Sequence, residues 1–119
     1  MKQPLHTVRA LADEIRMRAW KALEPGELCL CELIELLDRS PATVSKHLSL
    51  LRQAGLIEYR KEGRWHYYGR AKYAGASARM LGALDRMLDG DDAVRADKKH
   101  LNRIQRKSRE ELCQCYRKK

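Results

Sequence analysis

"SPATVSKHLSLLRQAG", residues 40–55, is the stretch that decides the fold. Ser40 is a good N-cap, and Pro41 suits the first helical position. Val44, Leu48 and Leu51 recur at helical spacing and form one apolar face. Gly55 supplies the stop. The helix is bounded at both ends by its own residues. Just before it, Leu33, Ile34, Leu36 and Leu37 read as a short helix that "DRSP" (38–41) breaks. Just after it the period changes. "LIEYRKEGRWHYYGR" (56–70) alternates, is rich in Ile, Tyr and Trp, and has "KEGR" at its centre, which predicts a two-stranded hairpin.

Further out, Leu5, Val8, Ala12, Ile15, Ala19 and Leu23 also recur at helical spacing. Asp13 can cap a second helix within that run, so one helix and two short ones both fit. "EPGE" (24–27) is a turn. Tyr73, Ser77, Met80, Leu81, Leu84 and Leu88 predict an amphipathic helix ending near Gly90. A last helix is expected from about Asp92 to Leu112. Its stripe of Val94, Leu101, Ile104 and Leu112 is narrow, so it needs a packing partner or frays. No internal repeat or low-complexity tract interrupts the chain.

A chain of 119 residues holds one domain with a modest core. Aromatics are few and Phe is absent, which favours a compact α-rich fold over a sandwich. No run of about 18 apolar residues exists to span a membrane. The start, "MKQPLHTVRALADEIR", has no apolar leader pattern, so a cytoplasmic protein without a membrane partner is expected. The net charge of +9 is unevenly placed. Residues 39–72 carry eight Lys/Arg against two acids, and residues 95–119 carry ten against three. Two basic blocks on a slightly acidic body indicate a polyanion partner, nucleic acid first. For the C-terminal block a merely solubilising face is an equal alternative.

A short helix, a tight turn, a capped second helix and a basic hairpin make the layout of a winged helix-turn-helix, mainly α with a small β-hairpin. Packing Leu33, Ile34 and Leu37 against Val44, Leu48 and Leu51 leaves Ala42, Thr43, Ser45, Lys46, Ser49 and Arg52 on the opposite face. Small residues at the helix start let the backbone approach a major groove. Thr43 and Ser45 can donate to phosphates or bases, and Lys46 and His47 can reach guanine acceptors or phosphate. Lys61 and Arg64 at the hairpin tip would meet backbone or minor groove. No Ser/His/Asp set, P-loop or GxGxxG is present, and no enzyme is expected.

The four cysteines fall as two C-x-C pairs, Cys29/Cys31 and Cys113/Cys115. In a cytoplasmic chain paired thiols point to metal binding or redox chemistry rather than to structural disulfides. On a regular helix residues i and i+2 point about 200° apart. Two sulfurs bound to one ion must each lie about 2.3 Å from a metal such as zinc. Cys29 and Cys31 therefore share an ion only if one lies before the helix or the first turn unwinds. Coordination there would distort the helix that supports 41–54 and shift the population away from DNA.

"ALADEIRMRAWKAL" (10–23), "ELCLCEL" (27–33), "SPATVSKHLSLLRQAGL" (40–56) and "GRWHYY" (63–68), in that order, resemble the ArsR family of metalloregulatory repressors over about residues 5–90. The resemblance implies a homodimeric repressor that leaves its operator when a metal or metalloid binds. It implies a dimer interface built from the first helix and the helix after the wing. Residues 1–90 are then the DNA-binding and dimerisation domain, and 91–119 a basic helix or tail with the second C-x-C pair. In the subgroup sensing trivalent arsenic and antimony, the "ELCxC" cysteines bind the inducer, which assigns that role to Cys29 and Cys31. The chain departs from that pattern at Ile34, where a third cysteine usually stands. Either two sulfurs suffice, as for methylated trivalent arsenicals, or a third comes from elsewhere; Cys113 and Cys115, from the same or the partner subunit, are the obvious additional donors, or they form a site of their own. Two pairs together would also make a tetrahedral S4 site for cadmium, lead or zinc. That arrangement resembles the cadmium/lead-sensing subgroup, whose other cysteines come from an N-terminal arm that here holds none. The zinc and nickel sensors of the family use Asp and His after the wing. Residues 72–90 have Asp85 and Asp89 but no His, so that site is not expected. A thiol redox sensor on the same DNA-binding scaffold is the rival reading.

Overall fold

Residues 2–107 are described by a computed structural model. Along them run α1 (Lys2–Leu11), α2 (Glu14–Ala22), β1 (Leu28–Cys29), α3 (Leu30–Leu37), α4 (Pro41–Gln53), β2 (Ile57–Glu62), β3 (Trp65–Arg70), α5 (Gly75–Asp89) and α6 (Asp92–Ile104). The first helical run is two helices. Asp13 caps the second, its side chain accepting from the Arg16 N–H at 3.1 Å.

The helix-turn-helix follows its local signals closely. Ser40 Oγ accepts from the Thr43 N–H at 3.2 Å, and Pro41 opens α4. Asp38 ends α3 in the left-handed region at φ 52°, a conformation Asp tolerates better than most residues. Gly55, at φ 76°, closes α4. The Leu56 N–H reaches the Leu51 carbonyl at 3.0 Å and the Gly55 N–H the Arg52 carbonyl at 2.9 Å, the paired bonds of a Schellman motif. Val44, Leu48 and Leu51 are fully buried and share a core with Leu33, Leu36, Leu37, Trp20 and Leu23. Each such aliphatic side chain contributes about 1.5–3 kcal/mol on burial.

The sheet has one strand more than the predicted hairpin. Its order is β1-β3-β2, with Glu62 opposite Trp65 across a two-residue turn at Gly63 and Arg64. Gly63 takes φ 61°, as the first residue of a II′ turn requires. The extra strand, β1, is two residues long and pairs Leu28 with Tyr68 and Cys29 with Tyr67.

α6 has a partner. Its Leu101 and Ile104 are buried in the common core, and Asp97 accepts two bonds from the Arg18 guanidinium on α2, at 2.8 and 2.9 Å. Lys107, just past its end, comes within 3.9 Å of Glu35 on α3. The described part of 91–119 thus packs on the same body as residues 1–90. No described helix is long and apolar enough to cross a membrane. The last helix, expected to run to about Leu112, ends at Ile104, and residues 105–107 are already turn and bend; residues 108–112, Cys113 and Cys115 lie outside the described residues.

Candidate thiol site and nucleic-acid interface

The first thiol pair is built by a change of backbone state between its members. Cys29 is the last residue of β1 and the N-cap of α3, with extended φ −81° and ψ 158°. Cys31 is the second residue of α3 and already helical. Cys29 therefore lies before the helix, one of the two arrangements that lets a C-x-C pair serve one ion. The Cys29 N–H donates to Glu32 Oε1 at 2.9 Å, while the Cys29 sulfur faces the Glu32 N–H. This is a capping box in which a thiol stands where a hydroxyl usually does. Sulfur is a weak acceptor, so this end of α3 is capped less firmly than a serine would cap it.

Cys29 is a free thiol and only 1% exposed. Burial pushes the thiol up from its ordinary value, against the backbone N–H groups of Glu32 and Cys31, which favour the thiolate. It is therefore protonated at neutral pH, and a ligand must take its proton. Cys31 is half-buried against the core. Among the described residues, no group of three or more His, Cys, Asp or Glu is arranged to hold a metal ion. Among the described residues the site offers one free thiol, Cys29, beside the half-buried sulfur of Cys31.

Cys29 is tied to the wing as well as to α3. β1 joins it to Tyr67 of β3. Next to it, Glu27 accepts from Arg60 Nε and Nη2 of β2, each at 2.9 Å, and the Arg60 guanidinium lies 4.4 Å over the Tyr67 ring. Arg60 holds the Glu27 carboxyl below its usual range. Sequence reasoning missed this clamp, because a two-residue strand inside "GELC" carries no period to detect.

The proposed reading face of α4 is open. Ala42, Thr43, Ser45, Lys46, Ser49 and Arg52 are all exposed. Thr43 Oγ1 accepts from Ser40 Oγ at 2.8 Å, and Arg52 rests over the Tyr59 ring at 4.7 Å. Lys61 and Arg64 are exposed at the hairpin tip, with Arg64 4.9 Å over Trp65. His47 is placed differently. It is half-buried, and its Nδ1 lies 3.2 Å from the Arg16 guanidinium, which also donates to the Ala10 carbonyl at 2.7 Å. His47 thus braces α4 against the α1–α2 joint.

The base of the wing is anchored by a cluster that sequence reasoning also missed. Arg70 donates to both carboxylate oxygens of Asp85 on α5, at 2.7 and 2.8 Å, and lies 3.7 Å over the Trp20 ring. Buried Lys21 bridges Asp85 at 3.1 Å and Asp89 at 2.6 Å. Burial raises the Asp85 carboxyl, but Arg70 and Lys21 together bring it below its usual range. Asp85 and Asp89 are thus paired with protein cations.

Residues 13–59 match the family model described as "Bacterial regulatory protein, arsR family". The chain is 46% identical over 66 residues to the arsenical resistance operon repressor of Escherichia coli K12, covering 55% of this chain and 56% of that one. It is 43% identical over 61 residues to the "Cadmium resistance transcriptional regulatory protein CadC homolog" of Staphylococcus aureus, covering half of each. The chain spans about half the length of these two curated relatives. Among solved structures, the homodimeric winged helix-turn-helix DNA-binding domain Mb0332 of Mycobacterium bovis superposes with a TM-score of 0.61 at 28% identity, over 74% of this chain and 79% of that one.

Proposed function

The chain belongs to the arsR family of bacterial regulatory proteins, and from that premise we propose that it is a thiol-gated transcriptional repressor. As a homodimer it holds operator DNA with α4 and the wing. It releases the DNA when a thiophilic ion, trivalent arsenic or antimony first, binds Cys29 and Cys31. The observation that carries this reading is the position of Cys29, which is at once the cap of α3 and the residue that β1 pairs to the wing. An ion drawing the Cys29 and Cys31 sulfurs together competes with that cap and with the β1–β3 pairing. The element supporting α4 and the element carrying Lys61 and Arg64 are then disturbed by one event.

DNA is gripped by Thr43, Ser45, Lys46, Ser49 and Arg52, with Ala42 allowing close approach and Lys61 and Arg64 on the flanking backbone. His47 positions α4. Dimerisation uses the apolar surface that the chain leaves bare: Leu5 and Val8 on α1, and Met80 and Met87 on α5, which are 42%, 54%, 44% and 76% exposed. Trivalent arsenic favours three sulfurs, and only two lie among the described residues. The third comes from Cys113 or Cys115. Lys107 lies beside Glu35 of α3, six residues before Cys113, so a donor from the same chain is within a short reach.

Cadmium or lead on four thiolates is the second reading, favoured by the similarity to the cadmium resistance regulator. One experiment separates them. Fully reduced protein bound to fluorescent operator DNA is titrated with arsenite, antimonite, cadmium and lead. We expect arsenite to release wild type, and Cys29→Ser and Cys31→Ser to bind DNA normally while losing about a thousandfold in response, some 4 kcal/mol. Normal induction of both variants would sink the thiol-gate reading. Release by cadmium or lead alone would select the four-thiolate site.

A further inference from the structure

The DNA-binding reading uses the basic block at residues 39–72 and leaves the second one without a role. On α6 that block is ordered. Leu101 and Ile104 face the core, and Arg95, Lys99 and Arg103 follow one another along the opposite, exposed side at steps of four residues, with exposed Arg106 two residues past the helix end. Of the three described acids of this segment, Asp91, Asp92 and Asp97, only Asp92 stands beside the stripe. Asp91 caps the helix, its side chain accepting from the N–H groups of Ala93 and Val94 at 2.9 and 3.3 Å. Asp97 is turned inward onto Arg18. Asp92 approaches Arg95 only to 3.9 Å, and among the described residues Lys99, Arg103 and Arg106 make no ion pair.

Helix stability does not account for this stripe. Like charges at i and i+4, here Arg95/Lys99 and Lys99/Arg103, destabilise a helix. Only the cations in the last turn gain from the helix dipole. A face selected for solubility alone mixes both signs. The stripe is also held on a fixed body by the bidentate Arg18–Asp97 pair and by the burial of Leu101 and Ile104.

We infer that the outer face of α6 is a second phosphate-contact surface, whose partner is duplex DNA beyond the segment that α4 reads. The inference rests on the DNA-binding reading above. Arg95, Lys99, Arg103 and Arg106 contact phosphates without regard to sequence and add affinity that depends on duplex length and salt.

The test starts from a duplex selected out of a random pool by the full wild-type chain. Affinity is measured against salt on the shortest duplex that keeps the selected sequence, and on the same duplex lengthened at both ends by about one helical turn. Wild type is compared with the triple variant Lys99→Gln/Arg103→Gln/Arg106→Gln, whose thermal melting should match wild type because all three side chains are exposed. Lengthening should tighten wild-type binding by about tenfold and steepen the log–log salt slope by about 0.9 per phosphate held. The triple variant should lose that gain while matching wild type on the short duplex. A gain that is absent in wild type, or that survives in the variant, overturns the inference and leaves the DNA-binding reading standing. Lys46→Ala should lose preference for the selected sequence yet keep the gain from length. Failure to select any duplex would overturn both readings.

Discussion

The two ends of α3 are built on different chemistry, although the helix between them has only eight residues. At its C-terminal end Asp38 turns the chain left-handed, Ser40 caps α4 with a hydroxyl and Pro41 starts it. These groups are polar, strong and local, and Leu37 and Val44 are buried directly beside the turn. At its N-terminal end the cap is a sulfur, and the neighbouring contacts are a two-residue strand and the Glu27–Arg60 pair on the surface. The first end holds the recognition helix in register whatever happens elsewhere. The second is held by a weak acceptor whose other chemistry, thiolate coordination, competes with capping. A short helix can therefore be a fixed hinge at one end and a trigger at the other.

That contrast can be broken from the firm side first. Leu37→Ala removes a side chain that is 1% exposed and should cost about 2–5 kcal/mol of stability. DNA binding and inducer response should fall together, as read by denaturant melts and operator titration. Loss of response alone would mean that the two ends are not mechanically distinct.

The pH dependence of ligand binding sharpens the comparison at the trigger end. Burial keeps the Cys29 thiol protonated above its ordinary pKa, so a cadmium ion must expel that proton. Cadmium affinity should rise by about tenfold per pH unit for each thiol deprotonated, up to the thiol pKa, which lies above the ordinary value of about 8.5. Arsenite, bound as the neutral trihydroxide, loses one hydroxide as water for each thiol proton it takes. Its affinity should stay nearly flat over the same range. Isothermal titration at several pH values checks both slopes, and equal slopes would contradict the buried, protonated thiol.

Smaller effects follow. Ser40→Ala should cost about 1 kcal/mol and weaken operator binding in proportion, measured by melting and anisotropy. Glu32→Gln weakens the acceptor for the Cys29 N–H and should cost only about 0.5 kcal/mol. Because it loosens the trigger end alone, inducer should act at lower concentration. Unchanged sensitivity would mean that the capping box does not resist the ion.

Much of this was legible in the residues themselves. Ser40, Pro41 and Gly55 bound α4 by chemistry acting over three or four positions, and the alternation through Ile57–Arg70 has a period that needs no neighbour to be seen. Asp13 likewise offered a break between α1 and α2, though a single helix fitted the same run, and the structure takes the break. The open face of α4 follows from burying Val44, Leu48 and Leu51, so its exposed side chains could be named in advance.

Other features needed contacts between residues far apart in the chain. β1 exists because Tyr67 and Tyr68, nearly forty positions on, present a free strand edge to Leu28 and Cys29. His47 points inward because Arg16 is there to hold it. Arg70, Lys21, Asp85 and Asp89 form one charge cluster only when β3, α2 and α5 meet. The sequence by itself determined the bounds of α4, its exposed face and the C-x-C spacing, because caps, turns and periodicity act within a few residues. Tertiary structure alone decided that Cys29 caps α3 while pairing with the wing, because that junction is made by segments that share no local signal.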